Sequence, residues 1–163
     1  MRHVITALVQ NQPGVLANVA GMFAARGFNI DSLVVGRTED PDLSRMTLVV
    51  IDDDRVVEQV RKQLGKVIPV VKVRDLQDLA TVERDLMLIR VHAPAAKRPE
   101  VIELVNVFRG RIVDMAHTSV VVELAGTEEK IEAFVELVRP YGIQELARTG
   151  VIAMQRGSQN HGK

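Results

Sequence analysis

Cysteine and tryptophan are absent from this 163-residue chain, aromatic residues make up 3% of it, and neither sign of charge is in excess. Without cysteine there is no disulfide framework, thiol nucleophile or thiolate metal ligand, which fits a reducing compartment. One Tyr and four Phe are too few to stack successive bases, and 21 Lys+Arg balance 21 Asp+Glu. Both facts argue against nucleic acid as a partner, and the charge balance also argues against a basic membrane-binding patch. No apolar run reaches membrane-spanning length, and the N-terminus lacks the apolar core and cleavage site of a signal peptide. The expectation is a cytoplasmic, soluble protein that engages no membrane. The four histidines (His3, His92, His117, His161) show no i, i+3 or i, i+4 pairing, so no metal site is expected. Asp52-Asp53-Asp54 lacks the Gly and distal Glu of a calcium loop and reads as helix-start charge. Arg109-Gly110-Arg111 reads as a solvated turn. No Gly-rich phosphate motif or nucleophile elbow occurs.

What is present is an ordinary globular balance of 47% hydrophobic and 26% charged residues, arranged in one rhythm repeated twice. Strand 4–10 leads to a helix with Val15, Val19, Met22 and Phe23 on one face, stopped at Gly27. Alternation from Phe28 to Val35 predicts a strand, Asp40-Pro41-Asp42 a turn, and Met46–Ile51 the return strand. Val56, Val57, Val60 and Leu64 share the next helix face, Gly65 ends that helix, and Val67–Val73 is a short strand with Pro69 marking an edge or a strand start. The second half begins with strand Leu86–Val91. Pro99 opens a helix carrying Val101, Leu104, Val105 and Phe108, which Gly110 closes. Strands 112–116 and 120–124 follow. Thr127 caps a helix with Ile131, Phe134, Val135 and Val138 on one face, and 143–146 and 151–154 supply the last strand material. The pattern predicts an α+β fold, two ferredoxin-like βαββαβ sandwiches in tandem, each an antiparallel sheet with helices on one face. The polar stretch Arg74–Glu83 is the natural boundary, and a frayed tail is expected over Gly157–Lys163. Apolar residues on both strand parities (Val34 and Val35, Val49 and Val50, Val120 to Val122) leave each second sheet face to be covered by a partner, so an oligomer is expected.

The turn Asn11-Gln12-Pro13-Gly14-Val15-Leu16 is the strongest candidate site. Pro13 is read as the first helical residue, since its missing N–H costs nothing there, and Gly14 permits close approach to the backbone. The free N–H groups of Gly14, Val15 and Leu16 at the helix start would favour a carboxylate. A capped helix start with no ligand fits the same residues. Asn29, unusual in an apolar strand, is either an acceptor for a ligand or a bulge or turn after Gly27.

Several stretches together resemble a known family. Asn11–Leu16 and Arg26-Gly27-Phe28-Asn29-Ile30-Asp31-Ser32-Leu33 are similar to the ACT domain, a βαββαβ amino-acid sensor. Leu43–Thr47, Val82–Leu88, Phe108–Gly110, Leu124–Thr127 and Arg148–Val151 extend the resemblance, in order, to the small regulatory subunit of acetolactate synthase (acetohydroxyacid synthase). The resemblance implies an ACT domain over 1–76 and a second ferredoxin-like domain over 77–163. It implies no chemistry and no cofactor in this chain. The partner implied is a large catalytic subunit using thiamine diphosphate, Mg and FAD to condense two 2-oxoacids. The chain would activate that subunit and confer feedback inhibition by a branched-chain amino acid, valine first, with isoleucine or leucine as alternatives. It would act as a homodimer or higher oligomer, and the effector site would join Asn11, Pro13, Gly14, Val15 and Leu16 of one chain to Asn29 and Ile30 of another. Gln12-Pro13 stands where some members carry an acidic and a small residue, which leaves effector choice open. Asn11 and Asn29 carbonyls suit an ammonium, and Val15, Leu16 and Ile30 an aliphatic side chain. Two rival readings are an ACT sensor serving a different enzyme and an acylphosphatase-like enzyme using Asn11 with Arg26.

Overall fold

The computed structural model describes residues 1–157, so the tail expected to fray lies outside the described residues except for Gly157. Two compact units form, Met1–Val82 with the described residues from Val151 on, and Glu83–Gly150. The first is built from Arg2–Gln10 (β1), Val15–Ala25 (α1), Ser32–Arg37 (β2), Leu43–Ile51 (β3), Asp54–Leu64 (α2) and Val70–Asp75 (β4). Its sheet is ordered β2-β3-β1-β4, antiparallel throughout. The second unit repeats the order as β6-β7-β5-β8, from Thr81–His92 (β5), Arg98–Val107 (α3), Arg111–Met115 (β6), Ser119–Gly126 (β7), Glu128–Val138 (α4) and Ile143–Arg148 (β8). Ile152–Gln155 (β9) pairs with β5, the strand within which the units divide. The two ferredoxin-like sandwiches read from the pattern are therefore present.

Strand and helix periods meet in each core. Ile5, Ala7 and Val9 of β1 and Met46, Leu48 and Val50 of β3 are buried against Val15, Val19 and Phe23 of α1 and Val57, Val60 and Leu64 of α2. In the second unit Met87, Ile89 and Val91 meet Val101 and Val105 of α3 and Ile131, Phe134, Val135 and Val138 of α4. Each Val, Leu, Ile, Met or Phe among them contributes about 1.5–3 kcal/mol on full burial, so these layers dominate stability. Thr127 caps α4 as expected, and one acid of the Asp52–Asp54 triplet, read as helix-start charge, also caps α2. Asp53 accepts from Val56 N at the start of α2, and Thr127 accepts from Lys130 N at the start of α4.

Several boundaries differ from the sequence expectation for local reasons. Phe28–Asp31 is not strand. Gly27 (φ 66) turns the chain after α1, Phe28 N bonds back to Phe23 O at 3.1 Å, and Phe28 packs edge-to-face on Phe23. The strand β2 starts only at Ser32, so Asn29 lies in this loop. Pro69 precedes β4 rather than sitting in it, and β4 is an edge strand as its neighbourhood predicted. Arg109, not Gly110, takes the left-handed conformation after α3 (φ 57). Gly110 is needed for room: a Cβ there would lie 3.2 Å from Glu123 O. Arg74–Glu83 is no loose connector, because Arg74 and Asp75 end β4, Thr81–Glu83 begin β5, and Leu76 N donates to Val4 O at 2.9 Å.

The premise that a partner must cover each second sheet face needs correction in the first unit. Val4 and Val49 there are buried by the chain's own Leu76, Val151 and Ala153. Val151 N donates to Ser32 Oγ, and Arg156 N to Ala80 O. In the second unit Leu86 and Leu88 stay 38% and 46% exposed on that face, and Arg90 among them lies within ion-pair reach of Asp114 and Glu145. Two buried polar groups are satisfied internally. His3 lies between Asp54 and Asp75 at 3.1 and 3.3 Å, and Asp85 accepts from Arg148.

Candidate functional site

The end of β1 is pinned before the chain enters the turn. Gln10 N donates to Pro69 O, Asn11 N to Asp42 O at 2.7 Å, and Asn11 Nδ2 to Pro41 O at 3.0 Å. With its amide committed to the Asp40–Asp42 turn, Asn11 keeps its side-chain carbonyl as an acceptor. Pro13 is not the first helical residue, as read from sequence: it lies in the turn, α1 starts at Val15, and Gly14 is the N-cap. Gly14 adopts φ 84, in the region glycine enters without steric cost, and no heavy atom beyond its chain neighbours lies within 4 Å of where its Cβ would be. No side chain caps α1 and no acid sits in its first turn. Among the described residues the amides of Gly14, Val15 and Leu16 have no hydrogen-bond acceptor. Val15 is buried in the core, while Leu16 is 48% exposed beside the open amides. The arrangement offers free donors, the positive end of a helix, an apolar side chain and uncovered space, which together suit a carboxylate bearing an aliphatic group.

Asn29 and Ile30 are elsewhere. Asp31 N donates to Val49 O, and Ser32 pairs with Val49, which in turn pairs with Val4 near the start of β1. Gln10, leading into the turn, pairs with Leu43 at the opposite end of β3. Six strand steps of about 3.3 Å therefore hold the two groups some 20 Å apart along the sheet. One chain does not bring the seven residues together. Asn29 is exposed and Ile30 half-buried against the core, so both can be met from outside.

The equivalent turn of the second unit is closed by its own side chains. Arg98 Nη2 donates to Ala93 O, Ala116 O and His117 O at 3.3, 2.9 and 2.5 Å. Glu100 supplies negative charge in the first turn of α3. The hydroxyl of Tyr141 first, and Lys97 second, hold the Glu100 carboxyl below its usual range. Sequence reading missed this plug because Arg98 closes carbonyls far from it in the chain. It also missed a cationic strand face: the alternation Lys72-Val73-Arg74 was its one trace, and placing Arg45 beside it needs the strand register.

Two tandem βαββαβ sandwiches, the first with an open, uncapped strand–helix turn, define a chain of the ACT-containing regulatory class. Residues 5–72 match the family described as AHAS small subunit-like ACT domain, and residues 84–157 the one described as small subunit of acetolactate synthase. The chain is 58% identical over 159 residues to a probable acetolactate synthase small subunit of Archaeoglobus fulgidus, covering 98% of this chain and 99% of that one. It is 46% identical over 160 residues to the acetolactate synthase small subunit of Mycolicibacterium smegmatis, covering 98% of this chain and 94% of that one, and 41% identical to the crystal structure of the Thermotoga maritima small subunit, with a TM-score of 0.89 over 97% of this chain and 99% of that one. The chain belongs to the acetolactate synthase small-subunit family. Its role is accordingly regulatory and non-catalytic, and its partner is a catalytic large subunit. No helix among the described residues is long and apolar enough to cross a membrane, and no group of three or more His, Cys, Asp or Glu there could hold a metal ion.

Proposed function

We propose that this chain activates the large subunit of acetolactate synthase and makes it sensitive to feedback inhibition by a branched-chain amino acid, valine before leucine or isoleucine. The observation that carries the reading is the uncapped start of α1, with Gly14 at φ 84 and free amides facing open space. The effector carboxylate binds these amides. Its ammonium takes the carbonyls of Asn11 and of Asn29, and its side chain lies on Val15, Leu16 and Ile30. Because the sheet holds the two groups at opposite ends, the pocket joins the turn of one chain to Asn29 and Ile30 of a second. The functional form is then a homodimer or higher oligomer. The sensing module covers 1–76 and the second ferredoxin-like module 77–163. Thiamine diphosphate, Mg and FAD belong to the catalytic partner, the protein works in the cytoplasm, and the pathway served is valine, leucine and isoleucine synthesis.

An aliphatic slot discriminates weakly, at about 1–3 kcal/mol per methylene, so the three amino acids should differ in degree. The test is reconstitution with the purified catalytic subunit from the same source, measuring turnover with and without each amino acid. Activation together with valine inhibition supports the reading. Activation without any amino-acid response would remove the effector assignment, and no effect on turnover would remove the whole proposal. A stable monomer in sedimentation at micromolar concentration would remove the inter-chain pocket.

A further inference from the structure

The sheet face of the first unit that turns away from α1 and α2 carries an uncompensated group of cations. Alternation sends Ile5, Ala7, Met46 and Leu48 toward the helices, and so sends Thr6, Leu8 and Arg45 to the other face. Register completes the group. Leu8 of β1 lies between Arg45 of β3 and Lys72 of β4, and Thr6 of β1 is paired with Arg74. Neighbouring strands are about 4.8 Å apart and alternate residues about 6.6 Å, so three cationic stems rise from a patch roughly 10 by 7 Å. Thr6, Leu8, Arg45, Lys72 and Arg74 line a hollow of about 250 Å³. An adjoining hollow of about 300 Å³ shares Thr6, Arg45 and Arg74, and Arg156 of the same unit stands at its rim.

No Asp or Glu lines either hollow. Among the described residues, Arg45, Lys72 and Arg74 form neither an ion pair nor a hydrogen bond through their side chains, whereas Arg61 and Lys62 on α2 share Glu58. In a chain of zero formal net charge, three unpaired cations converging on one concave floor mark a place where counter-charge is missing. We propose that this face is a binding site for a small oxyanion carrying two or more negative charges, held by the forks of Arg45 and Arg74 and by Lys72, with the Thr6 hydroxyl beneath. A free amino acid does not suit it, because its ammonium would enter among the cations and its single carboxylate would balance only one of them. The site is therefore separate from the amino-acid turn, and it does not rest on that assignment.

The experiment is titration calorimetry of the full chain at low ionic strength with two probes, inorganic pyrophosphate and citrate, repeated with Arg45→Gln, Arg74→Gln and the double variant. Arg109→Gln, an exposed cation in the other unit, is the control. The three site cations are exposed, so the variants should keep the wild-type circular dichroism spectrum. Charge-assisted bonds to such an anion predict saturable binding at one site per chain, weakened about tenfold or more by each substitution and unaffected by Arg109→Gln. Stronger binding of pyrophosphate would identify a phosphate-bearing ligand, and stronger binding of citrate a polycarboxylate. The proposal is overturned if neither probe saturates, or if the double variant binds as wild type does. It is equally overturned if neither small anion binds but the double variant assembles less tightly with the catalytic subunit, since the face would then be a protein-docking patch.

Discussion

The same strand–turn–helix corner occurs at the start of both units, and the two corners are finished in opposite ways. In the first, β1 runs into α1 through Gly14 with no side-chain cap and no acid in the first turn. In the second, β5 leads to α3 through a segment whose carbonyls are taken by Arg98, and Glu100 brings its own negative charge to the helix start. A free helix start attracts an anion, while one furnished with a carboxylate repels it. Topology thus supplies two candidate sites, and local side chains leave one of them open. The fold does not decide which unit binds; the corner does.

Breaking the open corner should have the largest effect. Gly14→Asp puts a charged side chain where the effector carboxylate must enter, and feedback inhibition should be lost outright while activation of the catalytic subunit persists. The left-handed φ of 84 adds a stability cost of about 1 kcal/mol, which Asp tolerates better than most residues. Calorimetry with valine is the check: unchanged affinity in the variant would show that the turn is not the pocket.

Asn29→Ala sharpens the same comparison from the far end of the sheet. Removing an acceptor from a desolvated ammonium costs about 1–3 kcal/mol, or roughly ten- to a hundredfold in effector affinity. Folding should change little, because Asn29 is exposed in a loop. An inhibition curve of the reconstituted complex with an unshifted midpoint would leave Asn29 as turn chemistry after Gly27 and nothing more.

Opening the closed corner tests the comparison from the other side. Arg98→Ala strips three backbone carbonyls of a charged donor, and the denaturation midpoint should fall by the equivalent of about 1–2 kcal/mol. It should not create a second valine site, because Glu100 remains. A second valine equivalent in the calorimetric stoichiometry of the variant would show that Arg98 alone keeps this corner from binding.

Much of this was legible in the sequence, and the parts that were not have a common cause. Apolar periodicity gave both βαββαβ units, since the residues at Val57, Val60 and Leu64, or at Ile131, Phe134 and Val138, face the core directly. The cap at Thr127 and the helix-start charge at Asp52–Asp54 are local features, read from neighbours in the chain. Pro13 misled because proline is favoured at the first helical position, yet the left-handed Gly14 delays the helix to Val15. Phe28 to Asp31 alternates like a strand but is held back against Phe23, a contact made by the loop as a whole. The Arg98 plug, the hollow beside Arg45 and the cover of Val4 and Val49 by Val151 and Ala153 all depend on residues distant in sequence. Periodicity carries no information about such meetings. The separation of Asn29 from the Gly14 turn belongs with them, because it follows from strand register alone.

The smallest expected effect concerns the charge that closes the second corner. Tyr141 donates to Glu100 at 2.8 Å, and Lys97 Nζ approaches the other carboxylate oxygen at 3.1 Å. The hydroxyl is the larger cause of the lowered Glu100 pKa, and the carboxylate in turn raises that of Tyr141 above 10.0. A lowered carboxyl pKa adds stability that is present above its ordinary value of 4.5 and is lost as pH falls through the folded value. The raised tyrosine value works in the opposite sense: its contribution is complete below 10.0 and is lost as pH rises through the folded value. Tyr141→Phe should therefore move the Glu100 titration midpoint up toward 4.5, and remove the alkaline loss that belongs to the phenol. Because Glu100 is exposed and its charge is screened by solvent, the change in stability should be slight, and carbon-detected NMR titration of Glu100 is the sensitive readout. A midpoint that stays in place would mean that Lys97 alone sets the charge at this helix start. The second corner would then owe its closure to Arg98 and Lys97, with Tyr141 serving only to cover them.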